Sequence, residues 1–137
     1  MPIYMKYEGI IGEVTKKPYA GWVELRSVIP RQPPASVIDI IKLEDGTRSQ
    51  FYSLAIRGDH KNVTVDFVDD HDTLYLRLEL KGTFISGYVR MGGHRDERFE
   101  SLSLAFTKMT STPQAPLKDQ KQAMHSMEFQ RVQQRMS

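Results

Sequence analysis

The chain has no cysteine among its 137 residues, so no disulfide framework staples it, and neither a zinc–thiolate site nor a thiol nucleophile can form. Stability must come from packing alone. Nor does one sign of charge prevail. The 19 basic residues face 17 acidic ones, for a formal net charge of +2, far from the clustered excess that neutralises a phosphate backbone. Nucleic acid is therefore not an expected partner. No apolar run reaches the roughly 18 residues that a membrane-crossing helix needs, so membrane insertion is not expected either. The opening "MPIYMKYEGI" lacks the basic stretch and long apolar core of a secretory signal peptide. The expectation is a protein made in the cytosol that, if it leaves the cell, does so without a signal peptide.

Chemistry-bearing motifs are also sparse. There is no Gly-x-Ser-x-Gly elbow and no glycine-rich phosphate loop between a strand and a helix. The four histidines, His60, His71, His94 and His125, fall in predicted loops or in the tail, and none is spaced as a helical metal pair. "DDHD" at residues 69–72 has the oxygen ligands for a divalent cation but not the spaced loop of a calcium site, so it reads as a solvated turn. "GGHRDERFE" at residues 92–100 reads as a mixed-sign loop whose charges satisfy one another or a neighbouring subunit. Trp22, Tyr4, Tyr7 and Tyr19 enrich the first third in aromatics, which suits core or subunit contact. The expectation is no enzyme, with no catalytic residue, no metal site and no cofactor.

What is present is a pattern of strands. A content of 39% hydrophobic and 26% charged residues fits one soluble domain with a real core. Residues 3–7 suit a strand, and Gly9 and Gly12 let the chain turn. "GWVELRSVI" at residues 21–29 places Val23, Leu25, Ser27 and Ile29 on the expected core face and Trp22, Glu24, Arg26 and Val28 opposite. Residues 30–36 hold three of the seven prolines and form a loop or arm. "VIDIIKL" is a mostly buried strand. The next stretch fits either a hairpin turn at Asp45-Gly46 or a short helix over residues 49–56. The helix would be capped by Thr47 or Ser49, carry Phe51, Tyr52, Ala55 and Ile56 on one side, and stop at Gly58. "NVTVDFV" alternates strictly. In the long run after residue 73, Leu74, Leu76, Leu78 and Leu80 face one way and Tyr75, Arg77, Glu79 and Lys81 the other, with Gly82 inviting a bulge. "FESLSLAFTKM" alternates so regularly that its second face, Ser101, Ser103, Ala105 and Thr107, must meet solvent or a partner. The fold class is mainly β, two antiparallel sheets forming a β-barrel or sandwich with one short helix near residues 48–57. Residues 1–112 form the domain. Residues 113–137, rich in glutamine and methionine, are a polar extension that is either a final strand or a tail ordered by a partner.

Four segments in order resemble one family. They are Glu8-Gly9-Ile10-Ile11-Gly12-Glu13, residues 21–28, "KLEDGTRSQFYSLAIRG" at 42–58, and "LRLELKGTFISGYVRMGGHRDERFESLSLAFTKM" at 76–109. Together they are similar to the haemolysin-coregulated proteins, the tube proteins of type VI secretion, over roughly residues 1–115, and the likeness favours the helix over the hairpin. The loop after the second strand is shorter than the family's glycine-rich extension, and Ser27-Val28 stands where a serine-tryptophan pair is usual. The resemblance implies a structural subunit forming homo-hexameric rings that stack into an inner tube. A contracting sheath on a baseplate would drive that tube out behind a spike protein, with effector proteins as cargo. It also implies an interface on the strands carrying Tyr4, Lys6, Glu79, Leu80 and Phe84, and on Ser101, Ser103, Ala105 and Thr107, with Trp22 near a ring rim. Arg31, Gln32, Pro33 and Pro34 are the candidate ring-stacking loop. A non-exported phage-tail-like tube protein and a secreted effector with enzymatic activity are the alternatives.

Overall fold

Alternating apolar and polar residues give a pleated backbone one inward and one outward face, and this pattern shapes nearly every element. The computed structural model describes residues 2–32, 35–92 and 97–113. The elements run β1 (Ile3–Tyr7), β2 (Val23–Leu25), β3 (Ser27–Pro30), β4 (Val37–Leu43), α1 (Arg48–Arg57), β5 (Lys61–Val68), β6 (Leu74–Gly92), β7 (Arg98–Ala105) and β8 (Lys108–Pro113). All pairings are antiparallel. Sheet A has the order β2–β1–β5–β6–β8 and sheet B the order β6–β7–β4–β3, so β6 belongs to both. The ends of this path, β2 and β3, are joined by Arg26 and not by a ladder, which makes the domain a sandwich and not a closed barrel. The Arg26 N–H donates to the Ile41 carbonyl at 2.6 Å and pins that corner.

The bulge expected at Gly82 is where β6 changes sheets. Gly82 sits at φ +62°, and the inward phase shifts across it, from Leu76, Leu78 and Leu80 to Thr83 and Ile85. The register with β5 slips at the same place, from Val63 opposite Leu80 to Lys61 opposite Thr83. β7 and β8 follow β6 through the bend as one kinked partner, with Ala105 opposite Phe84 and Lys108 opposite Lys81. At the corner the Thr107 hydroxyl donates to the Lys81 carbonyl at 2.9 Å.

Two sequence expectations are corrected. In the second strand Val23 and Leu25 are buried as expected, but Ile29 is exposed and Val28 packs against the core. Crossing from sheet A to sheet B at Arg26 resets the alternation. In α1 the inward residues are Phe51, Leu54 and Ala55, while Tyr52 and Ile56 are exposed. The helix starts at Arg48, Thr47 makes no side-chain cap bond, and Gly58, at φ 67°, closes it by donating its N–H to the Leu54 carbonyl. The core lies between the sheets and α1, built from residues such as Met5, Val65, Leu78, Ile40, Leu102 and Phe51. Each such side chain contributes roughly 1.5–3 kcal/mol by burial. The expected extension beyond β8 lies outside the described residues.

Candidate functional site

The outer faces of the two sheets differ in chemistry. On sheet A, Lys6, Thr64, Glu79 and Thr110 form one cross-strand row, and Tyr4, Asp66, Arg77 and Thr112 the next. The second row is covered by the chain itself. Tyr19 stacks on Tyr4 with ring centroids 4.3 Å apart, Trp22 meets Tyr19 edge-on at 4.8 Å, and the Tyr19 hydroxyl donates to Asp66 at 3.0 Å. Arg77 grips the same buried carboxylate with two bonds of 2.7 and 2.8 Å, the bidentate geometry in which a guanidinium matches a carboxylate. Burial, with the Asp66 charge nearby, pushes the Tyr19 hydroxyl up to about 12.

The outer face of sheet B has less cover among the described residues, with His60 over Phe84 and Arg31 over Asp39 and Ser103. Leu43, Phe99 and Met91 form one row, Ile41, Ser101 and Val89 a second, and Val37, Ala105 and Phe84 a third. Val89 is 58% exposed and Met91 36%, and the remaining members are half-buried. One polar bridge interrupts the face. Arg31, at the base of the arm, donates to both Asp39 oxygens at 3.0 and 3.1 Å and to Ser103 at 2.9 Å, and Ser103 donates to Asp39 at 2.6 Å. The Arg31 bonds hold the Asp39 carboxyl below the ordinary carboxylate range.

Beneath this face lies a charged cluster that sequence reasoning missed. Lys42 and Glu100, opposite each other in β4 and β7, are both fully buried and 2.9 Å apart. The Lys42 ammonium places its three protons on Glu100, Asp45 at 3.0 Å and the Leu43 carbonyl at 2.8 Å, which satisfies it completely. Tyr88 donates to the other Glu100 oxygen. Burial and that carboxylate push the Tyr88 hydroxyl up to about 12. Asp45 also accepts from the Thr47 N–H at 2.9 Å and from its hydroxyl, so the cluster fixes the start of α1. Burial opposes ionisation of Asp45, but the bonds from Thr47 and Lys42 outweigh it and lower its pKa.

The predicted interface residues separate into groups. Phe84, Ser101, Ser103 and Ala105 gather on the outer face of sheet B, with His60 stacked on Phe84 at 5.1 Å. Lys6 and Glu79 share the outer face of sheet A, where Tyr4 is 5% exposed and Trp22 lies beside it as part of the aromatic cover. Thr107 sits at the bend between β7 and β8 and belongs to neither face. Leu80 is 1% exposed and packed in the core, because the phase of β6 before Gly82 turns it inward. Its side chain offers no contact surface. Arg31 is tied to its own sheet and Gln32 is exposed, while Pro33 and Pro34 lie outside the described residues. The turn at residues 69–72 is organised by Asp69, which accepts from the N–H groups of His71 and Thr73. Among the described residues no group of three His, Asp or Glu side chains could hold a metal ion, and no helix is long and apolar enough to cross a membrane.

At the corner between the sheets a cleft of about 480 Å³ opens beside β2. Four carboxylates line it, Glu13, Glu24, Glu44 and Asp45, against two cations, Lys16 and Arg26.

No protein-family model and no curated protein sequence matches the chain. Solved structures do. Hcp1 from Salmonella typhimurium superposes with a TM-score of 0.71 at 16% identity, covering 82% of this chain and 87% of that one. A type VI secretion system effector from Yersinia pestis gives 0.75 at 19%, covering 85% and 92%. The Hcp1 protein from E. coli EAEC 042, carrying two tryptophan substitutions, gives 0.74 at 16%, covering 83% and 92%. The open β6-centred sandwich of this chain is therefore the fold of the Hcp proteins of type VI secretion.

Proposed function

We propose that this chain is a structural, ring-forming subunit of the inner tube of a type VI secretion machine, propelled outward with effector cargo. One observation carries the reading. The described residues lay only His60, on Phe84, and the Arg31 bridge over the outer face of sheet B, whose apolar rows run from Leu43–Phe99–Met91 to Val37–Ala105–Phe84. Exposed apolar rows of that kind, with one polar bridge between them, mark a protein contact. In a ring of six copies the contact is heterologous, so this face meets a different patch on the next copy, with closure set by geometry. The polar rows of sheet A, including Lys6 and Glu79, suit a solvent-filled lumen or exterior. Gln32 and the rest of the arm would contribute to stacking, since Arg31 is already engaged with Asp39 and Ser103. Sheath, baseplate, spike and effector proteins are the partners of this reading, and it requires no bond-breaking step. Negative-stain electron microscopy and light scattering on the purified protein test it. The expected result is six-membered rings for the parent, and single subunits with an unchanged melting temperature for Ala105→Arg. A parent that stays monomeric at high concentration, alone and with sheath or spike proteins, would overturn it.

A further inference from the structure

A heterologous contact needs two different patches on every copy, and the outer face of sheet B supplies one. The exposed large apolar residues among those described fall into two groups. Ile29, Val89 and Met91 lie on the outer face of sheet B, where Ile29 stands opposite Asp39 in the row of the Arg31 bridge. Ile11, Tyr52 and Ile56 lie on α1 or against it and are 77%, 55% and 69% exposed. Single apolar side chains on a surface are ordinary, but three around one short helix form a patch.

α1 turns Phe51 and Leu54 into the core. At about 3.6 residues per turn, Tyr52 and Ile56 then fall on one shoulder of its outward side and Gln50 on the other, with Ser49 and Ser53 between. Ile11 joins the Gln50 shoulder through two bonds. Its N–H donates to Gln50 Oε1 at 3.1 Å, and Gln50 Nε2 donates to the Ile11 carbonyl at 3.2 Å. The loop around it is pinned as well. Ile10 is buried in the core, the Gly12 N–H donates to the Gly21 carbonyl at 2.8 Å, and the Gly46 N–H donates to Glu13 at 3.2 Å. An apolar side chain fixed before its partner arrives gives up little freedom on binding. The two charges of α1, Arg48 and Arg57, are paired with Glu44 and Asp59, as Arg31 is with Asp39 on the other patch. Neither surface therefore sets a lone charge against the other.

We propose that this α1 surface, with Ile11 as its fixed knob, receives the sheet B face of a second copy. The inference rests on the ring reading and names the second half of its seam.

The full chain carries the test. The double variant Ile11→Arg/Ile56→Arg changes only exposed side chains, so it should melt with the parent, yet run as single subunits in light scattering where the parent forms rings. Ser53→Arg, between the two shoulders, should behave alike. Mixed one to one with Ala105→Arg at high concentration, the double variant should give dimers of twice the single-chain mass that grow no further. Only one intact seam is then available, its own sheet B face on the α1 surface of Ala105→Arg. Rings formed by the double variant or by Ser53→Arg would overturn the proposal and leave the ring reading standing. So would a mixture that stays entirely monomeric, since the two patches then do not meet. A parent that forms no rings overturns the ring reading itself, and this inference with it.

Discussion

The two outer faces are built from strands of similar length, yet they treat their residues in opposite ways. On sheet A the buried carboxylate of Asp66 is gripped by Arg77 and Tyr19, and two aromatic rings lie over the neighbouring Tyr4. On sheet B the outward residues are Leu, Ile, Val and Phe with serines between them, and the one bridge, Arg31–Asp39–Ser103, stands on an open surface. A face completed from within has no need of a neighbour. A face left apolar and open is a standing cost in water unless another molecule covers it. The difference favours sheet B over sheet A as the seam of the proposed ring.

The largest expected effect lies under sheet B. Glu100→Ala leaves the buried Lys42 ammonium only the partly exposed Asp45 as a counter-charge and takes the acceptor from Tyr88, and the loss should be about 3 kcal/mol in chemical denaturation. Adding Lys42→Met should recover part of it, since the buried ammonium is then gone and the partly exposed Asp45 keeps its bonds from Thr47. If Glu100→Ala is as stable as the parent, the buried pair does not hold sheet B to α1. Next comes the cover of sheet A. Asp66→Ala leaves Arg77 and the Tyr19 hydroxyl without their acceptor and should cost about 2–3 kcal/mol, with a matching change in tyrosine fluorescence as the aromatic stack loosens.

At the hinge between the faces, Gly82→Ala should cost about 1–2 kcal/mol, because φ is positive and a Cβ there would meet the Thr107 hydroxyl at 2.5 Å. Pairing it with Thr107→Ala should return the part of that loss due to contact and leave the backbone part.

The Arg31–Asp39 bridge predicts a smaller, pH-dependent effect. Its bonds depress the folded pKa of Asp39, so its contribution is present above the ordinary Asp value of about 3.9. It is lost as pH falls through the lower folded value. The melting-temperature gap between parent and Asp39→Asn should therefore shrink on acidification below pH ~4. A gap that stays constant from neutral pH to pH ~2.5 would remove ionised Asp39 from the account.

Smallest in stability and sharpest for the comparison are two surface substitutions. Ser101→Arg and Thr64→Arg should each shift unfolding by under about 0.5 kcal/mol, yet only the first should abolish rings in electron micrographs. Loss of rings by both, or by Thr64→Arg alone, would move the seam away from sheet B.

Much of this was legible in the sequence, for reasons that residues make plain. Ser101 and Ser103 between Leu102 and Leu104 could only alternate outward, and Gly82 inside an otherwise continuous run could only mark a change of phase. The position of α1 emerged from Gly58 and the resemblance in order of segments. What stayed hidden depended on distance. Lys42 sits in an apolar run where a lysine looks misplaced, and its partner lies 58 residues away. The stripe on α1 was misjudged because Tyr52 and Ile56 are apolar enough to suggest burial, while the volume available beneath the helix admits Phe51 and Leu54. Leu80 was placed on the seam by its neighbours in sequence, although its phase in β6 turns it inward.

β6 and its kinked partner of β7 and β8 pass from one sheet to the other without interruption. The two halves of the domain therefore cannot open like the covers of a book, since separating them means breaking successive rungs along a single ribbon. A thrust delivered along that ribbon is shared by many backbone bonds loaded side by side, which suits the proposed role of a subunit driven outward in one stroke.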